Sequence, residues 1–165
     1  MKKILFICHG NICRSPMAEF IFLHLLAKRG LESAFTAASA ATSREEIGNP
    51  VYPPARRELS RHGISCSGKR AVQVTPDDYA LYDYLVVMDG QNLRNLMRII
   101  GSDPQSKVYR LMDFTDRPGD VADPWYTGDF ETCYRDIKAG CEGLVRNLLQ
   151  KKSSNCAVLP PNMGV

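Results

Sequence analysis

The sequence lacks the features of a membrane, secreted or zinc-finger protein. No apolar run in its 165 residues approaches the ~18 residues that a membrane-spanning helix needs. The apolar stretch Ile4–Ile7 is also shorter than the core of a secretory signal peptide, which has ~7–15 residues. None of the six cysteines belongs to a Cys-x-x-Cys pair of the kind that binds structural zinc. We therefore expect free thiols, no structural metal and a cytoplasmic location.

The net charge is also small. It is only +3, and the sequence has no basic stripe of the kind that binds nucleic acid, so no nucleic-acid partner is predicted. No segment is repeated along the chain, which excludes a repeat architecture. The length fits one domain, which we expect to span residues 1–150. Residues 151–165 contain two prolines and no helical period, and they are predicted to form a flexible C-terminal tail.

Short apolar runs alternate with helical patterns along the chain. The apolar runs predict strands covered on both faces, and they lie at residues 4–7, 35–38, 85–88 and 108–112. Amphipathic patterns predict helices at residues 16–29, 53–62, 91–100 and 130–150. This order predicts an α/β fold, a three-layer α/β/α sandwich around a central four-stranded parallel sheet. Such sheets bind ligands beyond the carboxyl ends of their strands, where Cys8 follows the first run.

The segment from Cys8 to Ser15 has the composition of an anion-binding loop. It joins the first predicted strand to the first predicted helix, so backbone N–H groups and the helix N-terminus can face one anion. Gly10 permits a tight curl, and Arg14 can bind two phosphate oxygens while remaining charged. A cysteine becomes nucleophilic where positive potential stabilises its thiolate. We therefore interpret Cys8 as a nucleophile directed at phosphate.

Two further side chains favour this interpretation over a plainer one. The spacing of Cys8 and Arg14 alone also occurs by chance where a strand leads into an ordinary helix. Asn11, however, tolerates a left-handed backbone conformation, and Ser15 can donate a hydrogen bond to the Cys8 thiolate. Together with Gly10, these residues predict a phosphate loop after the first strand.

The motif Cys8-x-Gly10-Asn11-x-Cys13-Arg14-Ser15-Pro16 resembles the signature of the low-molecular-weight protein tyrosine phosphatase family. The resemblance continues in the same order through residues 2–150, in Ser39-Ala40-Ala41-Thr42-Ser43, Ile47-Gly48-Asn49-Pro50, Arg61-His62-Gly63-Ile64, Asp83-Tyr84, Met88-Asp89, Asn92-Leu93 and Asp123-Pro124-Trp125-Tyr126. The sequence is therefore identified as a member of this family. Membership implies a phosphatase that works through a phosphocysteine intermediate.

The resemblance also implies a role for each matching residue. Cys8 corresponds to the nucleophile, Arg14 to the arginine that holds the phosphate, and Asp123 to the general acid. The rest of the phosphate-binding loop comprises His9, Gly10, Asn11, Ile12, Cys13 and Ser15. The residues implied around it are the bracing Ser39 and the cleft residues Glu45, Trp125 and Tyr126. The family implies no metal and no other cofactor.

Four positions bear on regulation and substrate preference. By resemblance, Cys13 forms a reversible disulfide with Cys8 that protects the nucleophile, with a simple packed thiol as the alternative. Glu45 stands near a position where relatives commonly have an aromatic cleft residue. Lys69 replaces a histidine, which leaves open whether that histidine's bracing contacts are kept. Ile12 replaces the threonine of relatives directed at phosphoarginine, so a narrower pocket and a flat phenyl ring are expected.

Other activities are compatible with the same loop. A phosphoarginine phosphatase would share the fold, as would a thioredoxin-coupled arsenate reductase. The reductase needs two more cysteines at about residues 78–90, and that segment contains none. A non-catalytic phosphate-binding module would lack Cys8, Arg14 or Asp123. The predicted function is therefore the hydrolysis of phosphotyrosine in proteins and of small aryl phosphates, by a monomer or weak homodimer.

Overall fold

The computed structural model describes residues 1–157, which contain a sheet of four parallel strands. The strands are β1 (Lys2–Cys8), β2 (Phe35–Ala41), β3 (Tyr84–Val87) and β4 (Val108–Arg110), in the spatial order β2-β1-β3-β4. The predicted four-stranded parallel sheet is confirmed. Because the chain passes from β1 first to one neighbour and later to the other, the carboxyl end of β1 lies at the switch in strand order.

Helices cover both faces of the sheet and form the predicted three layers. Three of them, α1 (Arg14–Lys28), α2 (Pro53–Arg61) and α6 (Phe130–Ala157), pack on one face. The short α3 (Asp78–Leu81) and α4 (Gly90–Ile100) pack on the other. Helix α1 packs on β1 and β2, α4 packs on β3 and β4, and α2 packs on α1 and α6. This layering is the arrangement that the alternation of strands and helices predicts.

The side chains of β1 divide the core into two clusters. Ile4, Phe6 and Cys8 face the cluster beneath α1 and α6, whereas Leu5 and Ile7 face the cluster beneath α4. All five side chains are almost completely buried. This burial on both faces explains why β1 has a continuous apolar sequence rather than an alternating one.

Helix α1 begins closer to β1 than predicted. Its first residue is Arg14 rather than residue 16, and Pro16 lies in its first turn, where the missing N–H costs no helical hydrogen bond. Only a tight loop therefore separates Cys8, at the end of β1, from the start of α1. The N-terminus of the helix faces the loop that precedes it.

The chain departs from the prediction after β4. The strand predicted for 108–112 ends at Arg110, which pairs with the last residue of β3, and Leu111–Phe114 form a 3-10 turn. This turn packs against α6, and a Cβ at Gly143 would collide with the carbonyl oxygen of Phe114. Close packing on α6, rather than further strand pairing, fixes this segment.

Helix α6 is longer than predicted. The sequence indicated an end near residue 150, but the helix continues to Ala157. The Lys151 ammonium lies 5.3 Å from the centre of the Tyr84 ring and 5.6 Å from that of Tyr109. These cation–π contacts favour continuation of the helix past residue 150. Of the predicted tail, residues 151–157 are thus helical, and 158–165 lie outside the described residues. Within residues 1–157, no helix is long and apolar enough to span a membrane.

Candidate active site

A cavity of about 400 Å³ opens beyond the carboxyl end of β1. It is lined by most of the predicted site residues and by one further acid, Glu46; the lining residues are Cys8, His9, Gly10, Ile12, Cys13, Arg14, Glu45, Glu46, Asp123, Trp125 and Tyr126. The other predicted residues, Asn11, Ser15 and Ser39, are buried behind the loop. The fold thus brings residues from three distant parts of the sequence to one site.

The sulfur of Cys8 lies at the centre of the loop and is surrounded by hydrogen-bond donors. The backbone N–H groups of Asn11 and Ser15 point at it, with N···Sγ distances of 3.3 and 3.4 Å. The Ser15 hydroxyl oxygen lies 3.0 Å from the sulfur, so it accepts from the thiol and can donate to the thiolate. The N-terminus of α1 adds positive potential. This arrangement stabilises negative charge on the sulfur and on any anion bound above it.

Asn11 holds the loop in shape. Its backbone has a positive φ of 60°, which an asparagine tolerates better than most residues. Its side-chain amide donates to the Ser15 hydroxyl at 2.7 Å and to the Ser39 hydroxyl at 2.9 Å, and its carbonyl accepts from the N–H of Val72 at 3.1 Å. Both N–H groups and the carbonyl of this buried side chain are therefore hydrogen-bonded inside the protein, which fixes the curl of the loop.

A buried ion pair lies behind Ser39. The Ser39 hydroxyl donates to Glu19 at 2.6 Å, and the Lys69 ammonium donates to the Ser39 carbonyl at 2.9 Å and lies 3.7 Å from the Glu19 carboxylate. Burial raises the pKa of Glu19, partly offset by Ser39 and Lys69. Burial also lowers the pKa of Lys69, partly offset by Glu19 and Cys8. Lys69 thus makes bracing contacts of its own, which answers the question left open by the sequence.

Arg14 is buried and held by acceptors on two loops. Its Nη1 donates to Asp89 at 2.7 Å and to the Val121 carbonyl at 2.9 Å, and its Nη2 lies 3.4 Å from the Asp123 carboxylate. Burial lowers the pKa of Arg14, but the nearby Cys8, Asp89 and Asp123 outweigh it, and the pKa is raised overall. The guanidinium therefore remains charged. Within residues 1–157 its Nε–H and part of Nη2 have no partner and can bind a ligand.

Sequence reasoning gave no role to Asp89 or Glu19. Asp89 also accepts from the N–H of Asn92 and caps the N-terminus of α4, so one side chain joins that helix to Arg14. The sequence around each of these two acids does contain an indication of its role. Asp89 follows an apolar strand at the same sheet edge as Cys8, and Glu19 falls among the apolar positions of α1.

Asp123 stands at the wall of the cavity. One carboxylate oxygen accepts from the N–H of Trp125 at 3.0 Å and caps the short helix α5 (Pro124–Thr127), while the other faces Arg14. Its side chain is 26% exposed, so a ligand can reach it. Two residues earlier, the buried Val121 is held by its N–H, which donates to the Met88 carbonyl at 2.8 Å.

Aromatic side chains form the rim of the cavity. Trp125 and Tyr126 are 53% and 84% exposed, which is unusual for residues of this size and leaves them free to contact a ligand. The Trp125 ring packs on Tyr52 with 4.9 Å between ring centres, and the Tyr52 N–H donates to the Ile12 carbonyl at 2.9 Å. Tyr52 therefore joins the rim to the loop. Sequence reasoning missed Tyr52 because it lies just outside the motif Ile47-Gly48-Asn49-Pro50.

Acidic side chains also line the cavity. The carboxylate of Glu45 is 3.0 Å from Nε2 of His9. Both side chains are exposed, so water weakens this contact. Glu46 accepts from the Asn49 side chain at 2.6 Å and also lines the cavity. A ligand in the cavity therefore meets both aromatic and carboxylate side chains.

Cys13 lies in the same loop as Cys8, and both are free thiols. Burial raises the pKa of Cys13 to about 12, with a further increase from the Cys8 charge. Cys13 is thus a neutral thiol at physiological pH, and a nucleophilic role falls to Cys8 alone. The described residues contain no cluster of three His, Cys, Asp or Glu side chains that could hold a metal ion.

Comparison with known proteins identifies the family. The sequence profile of the low molecular weight phosphotyrosine protein phosphatases matches residues 3–155. A low molecular weight protein-tyrosine-phosphatase of Bacillus subtilis, YfkJ, is 43% identical over 154 residues, which cover 92% of this chain and 99% of the relative. The human low molecular weight phosphotyrosine protein phosphatase is 36% identical over 160 residues, covering 87% of this chain and 94% of the relative.

Solved structures agree with the sequence match. The crystal structure of YfkJ has a TM-score of 0.89 and covers 92% of this chain and 97% of its own. An arginine phosphatase of Drosophila is 29% identical with a TM-score of 0.81, covering 90% of this chain and 98% of its own. The shared fold, the matched length and the loop around Cys8 show that the chain belongs to the low molecular weight phosphotyrosine protein phosphatase family.

Proposed function

We propose that this protein hydrolyses phosphotyrosine in proteins, and small aryl phosphates, through a phosphocysteine intermediate. The observation that carries the proposal is the position of Cys8. Its sulfur faces three hydrogen-bond donors of one loop, and Arg14 and Asp123 line the same cavity. Nucleophile, phosphate-binding group and acid are thus within reach of one phosphate ester.

In the first step, the Cys8 thiolate attacks phosphorus and the ester oxygen leaves. The loop N–H groups and the free N–H groups of Arg14 hold the non-bridging oxygens, where negative charge concentrates in the transition state. Asp123, in its protonated form, gives its proton to the departing phenolate, which is a poor leaving group without an acid. The S–P bond forms as the P–O bond breaks, and the alcohol product leaves with the proton of Asp123.

In the second step, water replaces the sulfur. Asp123 is now a carboxylate and takes a proton from the water as its oxygen attacks phosphorus. The S–P bond breaks, and the Ser15 hydroxyl, 3.0 Å from the sulfur, stabilises the thiolate that leaves. Inorganic phosphate departs and both Cys8 and Asp123 regain their starting protonation states.

The walls of the cavity favour a flat aromatic ester. Ile12 is almost buried in the loop, and Trp125 together with Tyr52 forms an apolar face beside it. A phenyl ring can stack there, whereas a flexible phosphoarginine side chain would fill the slot less well. The arginine phosphatase of Drosophila shares the fold, so phosphoarginine is the second candidate substrate. We further propose a cytoplasmic enzyme, because a reducing compartment keeps Cys8 and Cys13 as thiols.

The test is the hydrolysis of 4-nitrophenyl phosphate and a phosphotyrosine peptide in the presence of EDTA. We expect turnover by the native protein and none by Cys8→Ser. The matched control is Cys66→Ser, which alters a buried thiol outside the cavity and should retain activity. Turnover by Cys8→Ser equal to that of the native protein contradicts the mechanism. Faster hydrolysis of a phosphoarginine peptide than of the phosphotyrosine peptide would replace the first candidate substrate by the second.

A further inference from the structure

The acid loop, residues 115–123, is attached to the rest of the protein just before the general acid. The Asp120 carboxylate accepts from the backbone N–H of Gly90 at 3.2 Å, and the next residue, Val121, donates its N–H to the Met88 carbonyl at 2.8 Å. Two successive residues of the loop thus bind the junction between β3 and α4. The Val121 bond uses the backbone alone, whereas the Asp120 bond depends on one side chain.

Arg110 binds the same carboxylate. Its Nη1 donates to Asp120 at 3.2 Å, and its Nε donates to Asp113 at 3.2 Å. Arg110 is the last residue of β4 and pairs with Val87 of β3, so its backbone is fixed in the sheet. The guanidinium therefore links the edge of the sheet to the acid loop through Asp120.

The part of the acid loop that precedes Asp120 has little else to hold it. Within residues 1–157, the one ion pair between residues 116–119 and another element joins Arg117 to Asp136 over 3.9 Å, and the Arg117 side chain is 76% exposed. Water weakens an ion pair that is so exposed. The Arg110 side chain is only 34% exposed and binds two carboxylates. Asp120 is thus the main polar attachment of the loop on this side of the acid.

We propose that Arg110 and Asp120 are positioning residues of the phosphatase reaction: they hold the acid loop against the β3–α4 junction and so keep Asp123 directed at the leaving group. The proposal rests on the proposed function and deepens it. Neither residue lines the cavity, so both act through the loop. Asp123 follows Asp120 by three residues, which span about 10 Å at most, so a displacement at Asp120 reaches the acid. Proton transfer requires the acid within hydrogen-bond distance of the ester oxygen, and a small displacement lowers the rate.

The test compares kcat/KM for phenyl phosphate and 4-nitrophenyl phosphate, because this constant covers the steps up to departure of the phenol. Phenolate depends on the acid, whereas 4-nitrophenolate leaves with little help. A displaced acid therefore lowers the constant for phenyl phosphate more, and a change in phosphate binding lowers both constants alike. In Asp120→Ala we expect a loss of about fivefold with phenyl phosphate and of less than about twofold with 4-nitrophenyl phosphate. In Arg110→Met, where the Gly90 bond remains, we expect about threefold with phenyl phosphate.

Three further variants show whether the two residues act through one contact. Arg110→Met/Asp120→Ala should lose no more than Asp120→Ala alone, because the double variant breaks the same attachment. Asp120→Asn keeps an oxygen that accepts from Gly90 and Arg110, so it should recover most of the loss. Arg117→Met removes an exposed arginine of the same loop and is the matched control, with a native ratio of the two constants. Inhibition by inorganic phosphate should stay native throughout, because the phosphate loop is unaltered.

Four outcomes overturn the proposal. They are equal losses with both esters, a native ratio in Asp120→Ala, losses that add in the double variant, and weaker inhibition by phosphate. Failure of the proposed function looks different, because the native protein and Arg117→Met would then hydrolyse neither ester. Failure of Asp123 as the acid is also distinct, because Asp123→Asn would then lower both constants equally.

Discussion

The floor and the rim of the active site are built in different ways. The floor residues Asn11, Arg14 and Ser15 are at most 3% exposed, and most of their polar groups are bound to side chains or backbone of the protein. At the rim, Trp125 and Tyr126 are more than half exposed. A change in the floor breaks several buried bonds at once, whereas a change at the rim alters one contact with solvent or ligand. The chemistry of this site is thus more constrained than its choice of substrate.

The largest loss outside the nucleophile is expected for Asp123→Asn, because an amide can cap α5 but cannot give a proton to the leaving group. With phenyl phosphate, a poor leaving group, we expect kcat to fall by about 10³-fold, and with 4-nitrophenyl phosphate by clearly less. Steady-state kinetics with both esters measures the difference. Asp116→Asn, an exposed acid of the same loop, is the control. Equal losses with both esters would remove Asp123 from the acid role.

A smaller loss, about 10²-fold in kcat, is expected for Arg14→Lys. The ammonium keeps the charge, but it cannot bind Asp89 and the Val121 carbonyl while also holding two phosphate oxygens as the planar guanidinium can. Inhibition by inorganic phosphate should weaken along with turnover. If Arg14→Lys hydrolysed 4-nitrophenyl phosphate at the native rate, the floor would be less constrained than the comparison with the rim implies.

At the rim, Trp125→Ala is expected to lower kcat/KM for a phosphotyrosine peptide by up to about tenfold, which is the value of one aromatic stacking contact. The Asp123 cap uses the Trp125 backbone N–H, which this substitution keeps. Activity on a small ester without a peptide should fall less. A loss as large as that of Arg14→Lys would show that the rim also shapes the floor, through Tyr52.

The smallest effect is expected for Glu45→Gln. Its carboxylate is exposed, so the substitution should change kcat/KM by only about twofold to threefold, and the change should diminish at high salt. Peptides with a basic residue beside the phosphotyrosine should lose most. Glu32→Gln, another exposed glutamate, serves as the control. An effect independent of salt and peptide charge would contradict an electrostatic role for Glu45.

The structure brings the predicted floor residues together, and these residues are neighbours in the chain. The cysteine, arginine and serine of the loop lie within one strand-to-helix junction, and a local motif is sufficient to identify them. The partners that hold them come from elsewhere: Asp89 follows β3, and Tyr52 precedes α2. Their function depends on tertiary packing, which no local pattern records. The pairing of Glu19 with Lys69 also depends on tertiary packing, because these two charges meet only when α1 and a distant loop pack together.

The fold shows the same division between local and distant information. The four strands follow from continuous apolar runs, and the four main helices follow from apolar periodicity. The early end of β4 at Arg110 depends on where β3 stops and on the close approach of α6 at Gly143. The extension of α6 to Ala157 is helped by Lys151 lying over rings of two strands. Neither cause is visible within the segment it affects.

The fixed position of Val121 limits how far the acid can move. Its N–H is bound to Met88 and its carbonyl to Arg14, so this residue is an anchor between the strand and the phosphate site. Asp123 follows after a single intervening residue, and a fully extended chain of that length spans only about 7 Å. Asp123 can therefore rotate about the backbone of Ala122. It cannot move away from the cavity unless the hydrogen bond between the Val121 carbonyl and Arg14 breaks.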